Sequence, residues 1–195
     1  MVHRTDNLVI SAALAGAVTR KDQNPAVPYT PEEFGDEAKK CYDAGAAIVH
    51  IHARDEQGLP TAEIDIIRET LENIKKKAPN VMVNLSSAIS INATDRERIK
   101  PVRTFEPPLA SLNTNSMNFS VANWKTGEVV MAAGNVFTNT FKTIQRFASY
   151  MQKAGTKPEM EIYDFGGLYN MLLLNKQEGM FDQPLHFQMV FGVCG

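Results

Sequence analysis

Apolar residues along the chain follow two alternating periods. Short continuous apolar runs at residues 8–13, 46–52, 81–85, 109–113, 159–162 and 185–191 read as buried strands. Between them, apolar positions recur every three or four residues, the spacing of one helix face. Thr30-Pro31-Glu32-Glu33 opens the first helix: Thr30 is the N-cap, Pro31 takes the first helical position and Glu33 closes a capping box. Phe34, Ala38 and Cys41 then face a core, and Gly45 ends the helix where a left-handed residue is needed. Ile64, Ile67, Leu71 and Ile74 mark a second helix that ends before Pro79. A short helix starts near Asp95. Phe137, Phe141, Ile144, Ala148 and Met151 trace another, and residues 168–178 a last one, with Gly179 after it. Residues 118–134 fit neither period. Within them, Asn123-Trp124-Lys125-Thr126-Gly127-Glu128 reads as a hairpin tip carrying the only Trp, either a flap over a site or a surface elaboration.

Apolar strands alternating with helices predict an α/β fold with a parallel sheet covered by helices. Right-handed crossovers leave an open doubly wound sheet or a closed barrel. No G-x-G-x-x-G follows the first strand, which weakens a dinucleotide-binding reading. Six βα units are counted, whereas a complete eightfold barrel takes about 250 residues. The expectation is an open six-stranded sheet or the first three quarters of a barrel. Composition narrows the classes: 195 residues, 44% hydrophobic, 22% charged and a net charge of −2 fit one globular domain over residues 1–195. There is no basic excess for nucleic acid. No apolar run approaches the ~20 residues of a membrane helix, and the polar start carries no secretory signal. Two cysteines make no disulfide framework, which points to a reducing cytoplasm.

Candidate chemistry sits at the strand ends. His50 and His52 are two apart on a strand and so share a face, with Arg54 and Asp55 following in the loop. Two imidazoles there suit zinc, which at catalytic sites takes three protein ligands plus water. The bland alternative is a hydrogen-bonded pair of core histidines. His3 lies in the tail and reads as inert; His186 shares a face with Gln188 and reads as a satisfied interior histidine. Ser86 and Ser87 end the third strand, Ser111 and Asn113 share a face of the fourth, and Glu159 and Glu161 share a face of the fifth. Such groups at the C-terminal ends of barrel strands surround the usual active-site mouth. No G-x-S-x-G marks a nucleophile, and Cys41 reads as a helix-face core residue.

Several segments together resemble the β-keto acid cleavage enzymes. They are Ile10-Ser11-Ala12-Ala13-Leu14-Ala15-Gly16-Ala17, Pro28-Tyr29-Thr30-Pro31-Glu32-Glu33 and Ala44-Gly45-Ala46-Ala47-Ile48-Val49-His50-Ile51-His52-Ala53-Arg54-Asp55. Further matches are Ala110-Ser111-Leu112-Asn113, Ser116-Met117-Asn118-Phe119, Pro158-Glu159-Met160-Glu161-Ile162-Tyr163-Asp164 and Pro184-Leu185-His186-Phe187. The resemblance implies a zinc-dependent (β/α)8 TIM barrel, of which about the first six units are present. It implies exchange of the acyl part of a β-keto acid with acetyl-CoA, giving acetoacetate and a new acyl-CoA. It assigns His50 and His52 as zinc ligands, Ser86, Ser111 and Asn113 to the keto-acid pocket, and a catalytic role to Glu161. A small β-keto acid and acetyl-CoA are the implied partners, without nucleic acid or membrane, and a homo-oligomer is expected.

Three departures qualify the resemblance. The family's third zinc ligand, a glutamate, and its catalytic aspartate fall in a Gly-Gly-His-x-Arg-x-Gly-x-Glu-Asp-like segment, expected beyond Gly195. Members acting on amino-substituted keto acids carry a glutamate where Val18 stands. The family's glycine pair after the third strand is here Ala88-Ile89. Two competing readings remain at this stage: a metal-dependent, amidohydrolase-like barrel, which also uses His-x-His but on its first strand, and a catalytically inactive fragment.

Overall fold

The computed structural model describes residues 8–89, 93–129, 136–178 and 180–193, so His3 and Gly179 lie outside the described residues. The chain divides into two compact units, Met1–Ser86 and Ser87–Gly195.

The first unit runs β1 (Ser11–Ala13), α1 (Pro31–Asp43), β2 (Ile48–Ile51), α2 (Ile64–Lys77) and β3 (Met82–Leu85). β1 pairs parallel with β2, and β2 pairs parallel with β3. The α1 start is the one the sequence indicates. Thr30 Oγ1 accepts from Glu33 N at 3.2 Å, and the Glu33 carboxylate accepts from Thr30 N at 3.1 Å. Lys21 and the Tyr29 and Thr30 amides hold that carboxyl down at about 2. Phe34 and Ala38 are fully buried on the inner face, and Gly35 lets α1 approach the α2 backbone at Asn73. Gly45 takes φ +103°, the left-handed stop expected there. Cys41 is half-buried, at the margin of the face assigned to it.

The first strand is shorter than its apolar run. Leu8 and Val9 are exposed at 85% and 64%, and pairing starts only at Ser11. A run reads as buried when both flanks are covered, and β1 pairs on one side alone among the described residues. The loops after β1 and β2 interlock. Buried Arg54 donates to the carbonyls of Gly58 (3.0 Å), Thr19 (3.1 Å) and Gly16. The Tyr29 ring fills the place a Cβ would take at Gly58, whose φ is +76°.

The second unit runs α3 (Asp95–Phe105), β4 (Leu109–Asn113), β5 (Met117–Asn118), β6 (Ala122–Asn123), β7 (Glu128–Val129), β8 (Val136–Phe137), α4 (Phe141–Lys153), β9 (Lys157–Ile162), α5 (Phe165–Glu178) and β10 (His186–Met189). β4, β9 and β10 form parallel pairs in that order, over a core that includes Ile99, Leu112, Ile144, Phe147, Met151 and Met160. A second capping box, Thr94 with Glu97, starts α3. The irregular stretch is two antiparallel ribbons, β5–β8 and β6–β7, and the second is the expected hairpin. Trp124 at its tip is 77% exposed.

Phe137 belongs to β8 and not to the helix traced through it. Thr140 Oγ1 accepts from Thr143 N at 3.2 Å and starts α4 three residues later, while Phe137 meets Phe119 edge-on. Asp164 caps α5 by accepting from Gly167 N at 2.9 Å. No helix among the described residues is long and apolar enough to cross a membrane.

The α1 cap gives a direct check. Thr30→Ala is expected to cost about 1 kcal/mol and Thr30→Ser almost nothing, read from denaturant midpoints. An alanine variant as stable as the wild type would show that the cap contributes no stability.

Candidate active site

His50 lies in the middle of β2 and His52 just past its end, so the two-residue period aims both rings the same way. Their Nε2 atoms are 3.1 Å apart, with ring centroids at 5.1 Å and planes tilted by 59°. Two nitrogens bound to one tetrahedral zinc at about 2.0–2.1 Å stand about 3.3 Å from each other. The observed spacing meets that requirement, and it equally suits one ring donating to the other. Burial pushes His50 down to about 4. It is therefore a neutral imidazole at pH 7, the state in which histidine binds metal. In register beside His50 stands Asn84 of β3, fully buried. Ser86 is buried directly after β3, its N–H on the Ile51 carbonyl at 3.2 Å.

In the second unit, parallel register sets Ser111 opposite Glu159 and Asn113 opposite Glu161. The period of two puts all four on one face, and all four are buried. Ser111 Oγ accepts from Ser87 N at 3.0 Å. The Asn113 amide makes no hydrogen bond among the described residues, although it is only 2% exposed. Burial is the main cause that raises the Glu161 carboxyl to about 7. Repulsion from Glu159 adds to it, while a 3.2 Å hydrogen bond from the Tyr163 hydroxyl and the charge of Arg98 oppose it. Burial and the Glu161 charge in turn push the Tyr163 phenol up. A carboxyl that titrates near neutrality exchanges protons readily at physiological pH. His186 is half-buried, with Nε2 3.6 Å from the Glu159 carboxylate, a partner that fits its structural reading.

The histidine pair is thus a geometric fact of the first unit, and the serine, asparagine and glutamate face a fact of the second. Sequence reading missed Asn84, Tyr163 and Arg98. Tyr163 continues the Glu159–Glu161 alternation by one step, which was a usable signal. Arg98 sits in the apolar stripe of α3 with Ile99 and Val102, where a charge is out of place. Arg54, which follows the histidines in the loop, fastens loops by donating to carbonyls.

A family model described as beta-keto acid cleavage enzyme matches residues 7–195. The 3-keto-5-aminohexanoate cleavage enzyme of Fusobacterium nucleatum is 35% identical over 188 residues, covering 96% of this chain and 64% of that protein. The 3,5-dioxohexanoate:acetyl-CoA acetone transferase of Paraburkholderia graminis is 34% identical over 200 residues, covering 96% of this chain and 64% of its own length. The chain therefore spans just under two thirds of these relatives. The apo structure of ObcA superposes with a TM-score of 0.70 at 23% identity, covering 87% of this chain and 37% of that one. That likeness shows the fold: parallel α/β of the TIM-barrel type, with part of the barrel in this chain.

The raised Glu161 carboxyl has a pH signature. It ionises near 4.5 when unfolded and near 7 when folded, so the folded state holds its proton longer and stability falls as the pH rises from about 4.5 to about 7. Glu161→Gln, which cannot ionise, is expected to remove that decline and to gain up to about 3 kcal/mol over the wild type at pH 8 relative to pH 4. Denaturation of both proteins across this range measures it, and parallel stability curves would contradict the assigned titration.

Proposed function

Because the chain belongs to the beta-keto acid cleavage enzyme family, we propose that it serves a zinc-dependent acyl exchange between a β-keto acid and acetyl-CoA. In that reaction the bond between the acyl carbonyl carbon and the CH2–carboxylate fragment breaks. The fragment joins the acetyl group to give acetoacetate, and the coenzyme A sulfur takes the released acyl group. The observation that carries the reading is the 3.1 Å convergence of two imidazole Nε2 atoms, one of them on a ring kept neutral by burial. His50 and His52 would hold the metal. When bound, it supplies Lewis-acid stabilisation of charge developing on the keto oxygen.

The chain's own residues take the remaining roles. Ser86, Ser111 and Asn113 bind the keto acid, as the family resemblance implies. Glu161 holds or gives up a proton on its carboxyl oxygens, one of which accepts from Tyr163. Val18 is 40% exposed in the loop whose Gly16 and Thr19 carbonyls Arg54 grips. It offers an apolar contact where an amino-substituted keto acid would need a carboxylate. A buried ammonium without a partner costs several kcal/mol. The preferred substrate is therefore a neutral or anionic β-keto acid. Localisation in the cytoplasm and assembly as a homo-oligomer belong to the same proposal.

Two experiments test the reading. His50→Ala is expected to lose bound metal by elemental analysis and to abolish acetoacetate formation while the far-UV circular dichroism stays native. A metal-free, chelator-indifferent wild type with full activity would refute the assignment. Val18→Glu is expected to shift kcat/KM toward amino-substituted keto acids. A wild type that already prefers the amino-substituted acid over its neutral analogue would remove Val18 as selector.

A further inference from the structure

Arg98 is a buried cation of the second unit whose hydrogen-bond acceptors, among the described residues, are all neutral, while the charges of Asp95 and Glu161 act on it without a hydrogen bond. It is 4% exposed. Nε donates to the Ser87 carbonyl at 3.0 Å, Nη1 to the Thr138 carbonyl at 3.1 Å and Nη2 to Asn139 Oδ1 at 2.7 Å. Its guanidinium carbon lies 5.1 Å from the ring centroids of both Phe137 and Phe147. Burying a charge is expensive, and three hydrogen bonds with two aromatic faces offset that cost without cancelling the charge. Such an arrangement persists when the surrounding groups need to be held.

Two of the three partners lead on, Ser87 to the candidate site and Asn139 to the loops around it. Ser87, gripped at its carbonyl, donates its N–H to Ser111 Oγ at 3.0 Å. With that oxygen already accepting, the Ser111 hydroxyl proton is directed to a further acceptor. Asn139, gripped at Oδ1, donates Nδ2 to the Asn115 carbonyl at 3.1 Å and N–H to Ser116 Oγ at 2.7 Å. Asn115 Nδ2 then reaches the Asp164 carboxylate that caps α5, at 2.8 Å. One planar fork thus fastens the residue after Ser86, the segment after β8 and, through Asn139, the loops after β4 and β9.

We propose that Arg98 is a positioning residue for the carboxylate of the β-keto acid: it fixes the Ser87 backbone so that Ser111 donates to that carboxylate. The inference rests on the acyl-exchange reading. A lysine retains the charge but not the planar fork, so it cannot serve the three acceptors in their separate directions.

The test is Arg98→Lys in the full-length protein, with steady-state kinetics in both substrates and amide hydrogen exchange. The KM for the β-keto acid is expected to rise roughly tenfold or more, with the KM for acetyl-CoA unchanged. A merely structural role would lower the active fraction and leave both KM values alone. The Ser87 and Asn139 amides, which donate to Ser111 and Ser116, are expected to exchange faster in the variant, while the β9 amides stay protected. Should Arg98→Lys not fold, Asn139→Ala, which removes the acceptor of one arm of the fork and so loosens its hold on Ser87, is read in the same way, with a smaller rise in the same KM alone. An unchanged KM for the keto acid, or equal rises in both, overturns the proposal. A wild type without acyl exchange refutes the functional reading instead. In that event the exchange rates of Ser87 and Asn139 decide whether Arg98 positions them.

Discussion

Everything chemical in the first unit depends on one geometric fact: a β-strand repeats every two residues. His50 and His52 therefore share a face, and with β2 held in register by β1 and β3 their Nε2 atoms approach to 3.1 Å. Burial holds the His50 imidazole neutral down to about pH 4. Placing two nitrogen donors at metal-chelating distance requires nothing beyond strand geometry and burial. The loops that follow are fastened independently of any ligand, by Arg54 donating to three carbonyls and by Tyr29 packed on Gly58.

The second unit solves a different problem, that of keeping acids and a cation in an apolar interior. Glu159 and Glu161 are adjacent on one face of β9, and their mutual repulsion together with burial raises the Glu161 carboxyl to about 7. Arg98 and the Tyr163 hydroxyl restrain that rise. The result is a carboxyl near its midpoint at neutral pH that feels the charge of a guanidinium whose hydrogen bonds all go to neutral acceptors. Such an environment holds a proton-exchanging carboxyl and a buried cation within reach of each other's charge.

Much of this was legible in the sequence because the signals are local. The Thr30 capping box, the helix start near Asp95, the 109–113 strand, the Asn123–Glu128 hairpin tip and the shared faces of His50 with His52 and Ser111 with Asn113 all follow from spacing within a few residues. What failed depends on partners far along the chain. The run at residues 8–10 looks like a buried strand, but nothing among the described residues covers it. Phe137 falls on a helical period by coincidence; pairing with Met117, twenty residues earlier, places it in a ribbon. Arg98 stands out of place in the apolar stripe of α3, but what it holds is known only from its acceptors, 11 to 41 residues distant.

The central claim is that the His50–His52 pair is a metal centre and not a hydrogen-bonded pair of core histidines. X-ray absorption at the zinc edge of the purified full-length protein tests it most directly. The account predicts one zinc per chain, with imidazole nitrogen scattering at about 2.0–2.1 Å that is lost in His52→Ala. Zinc without imidazole ligation, or the same spectrum in His52→Ala as in the wild type, would contradict it.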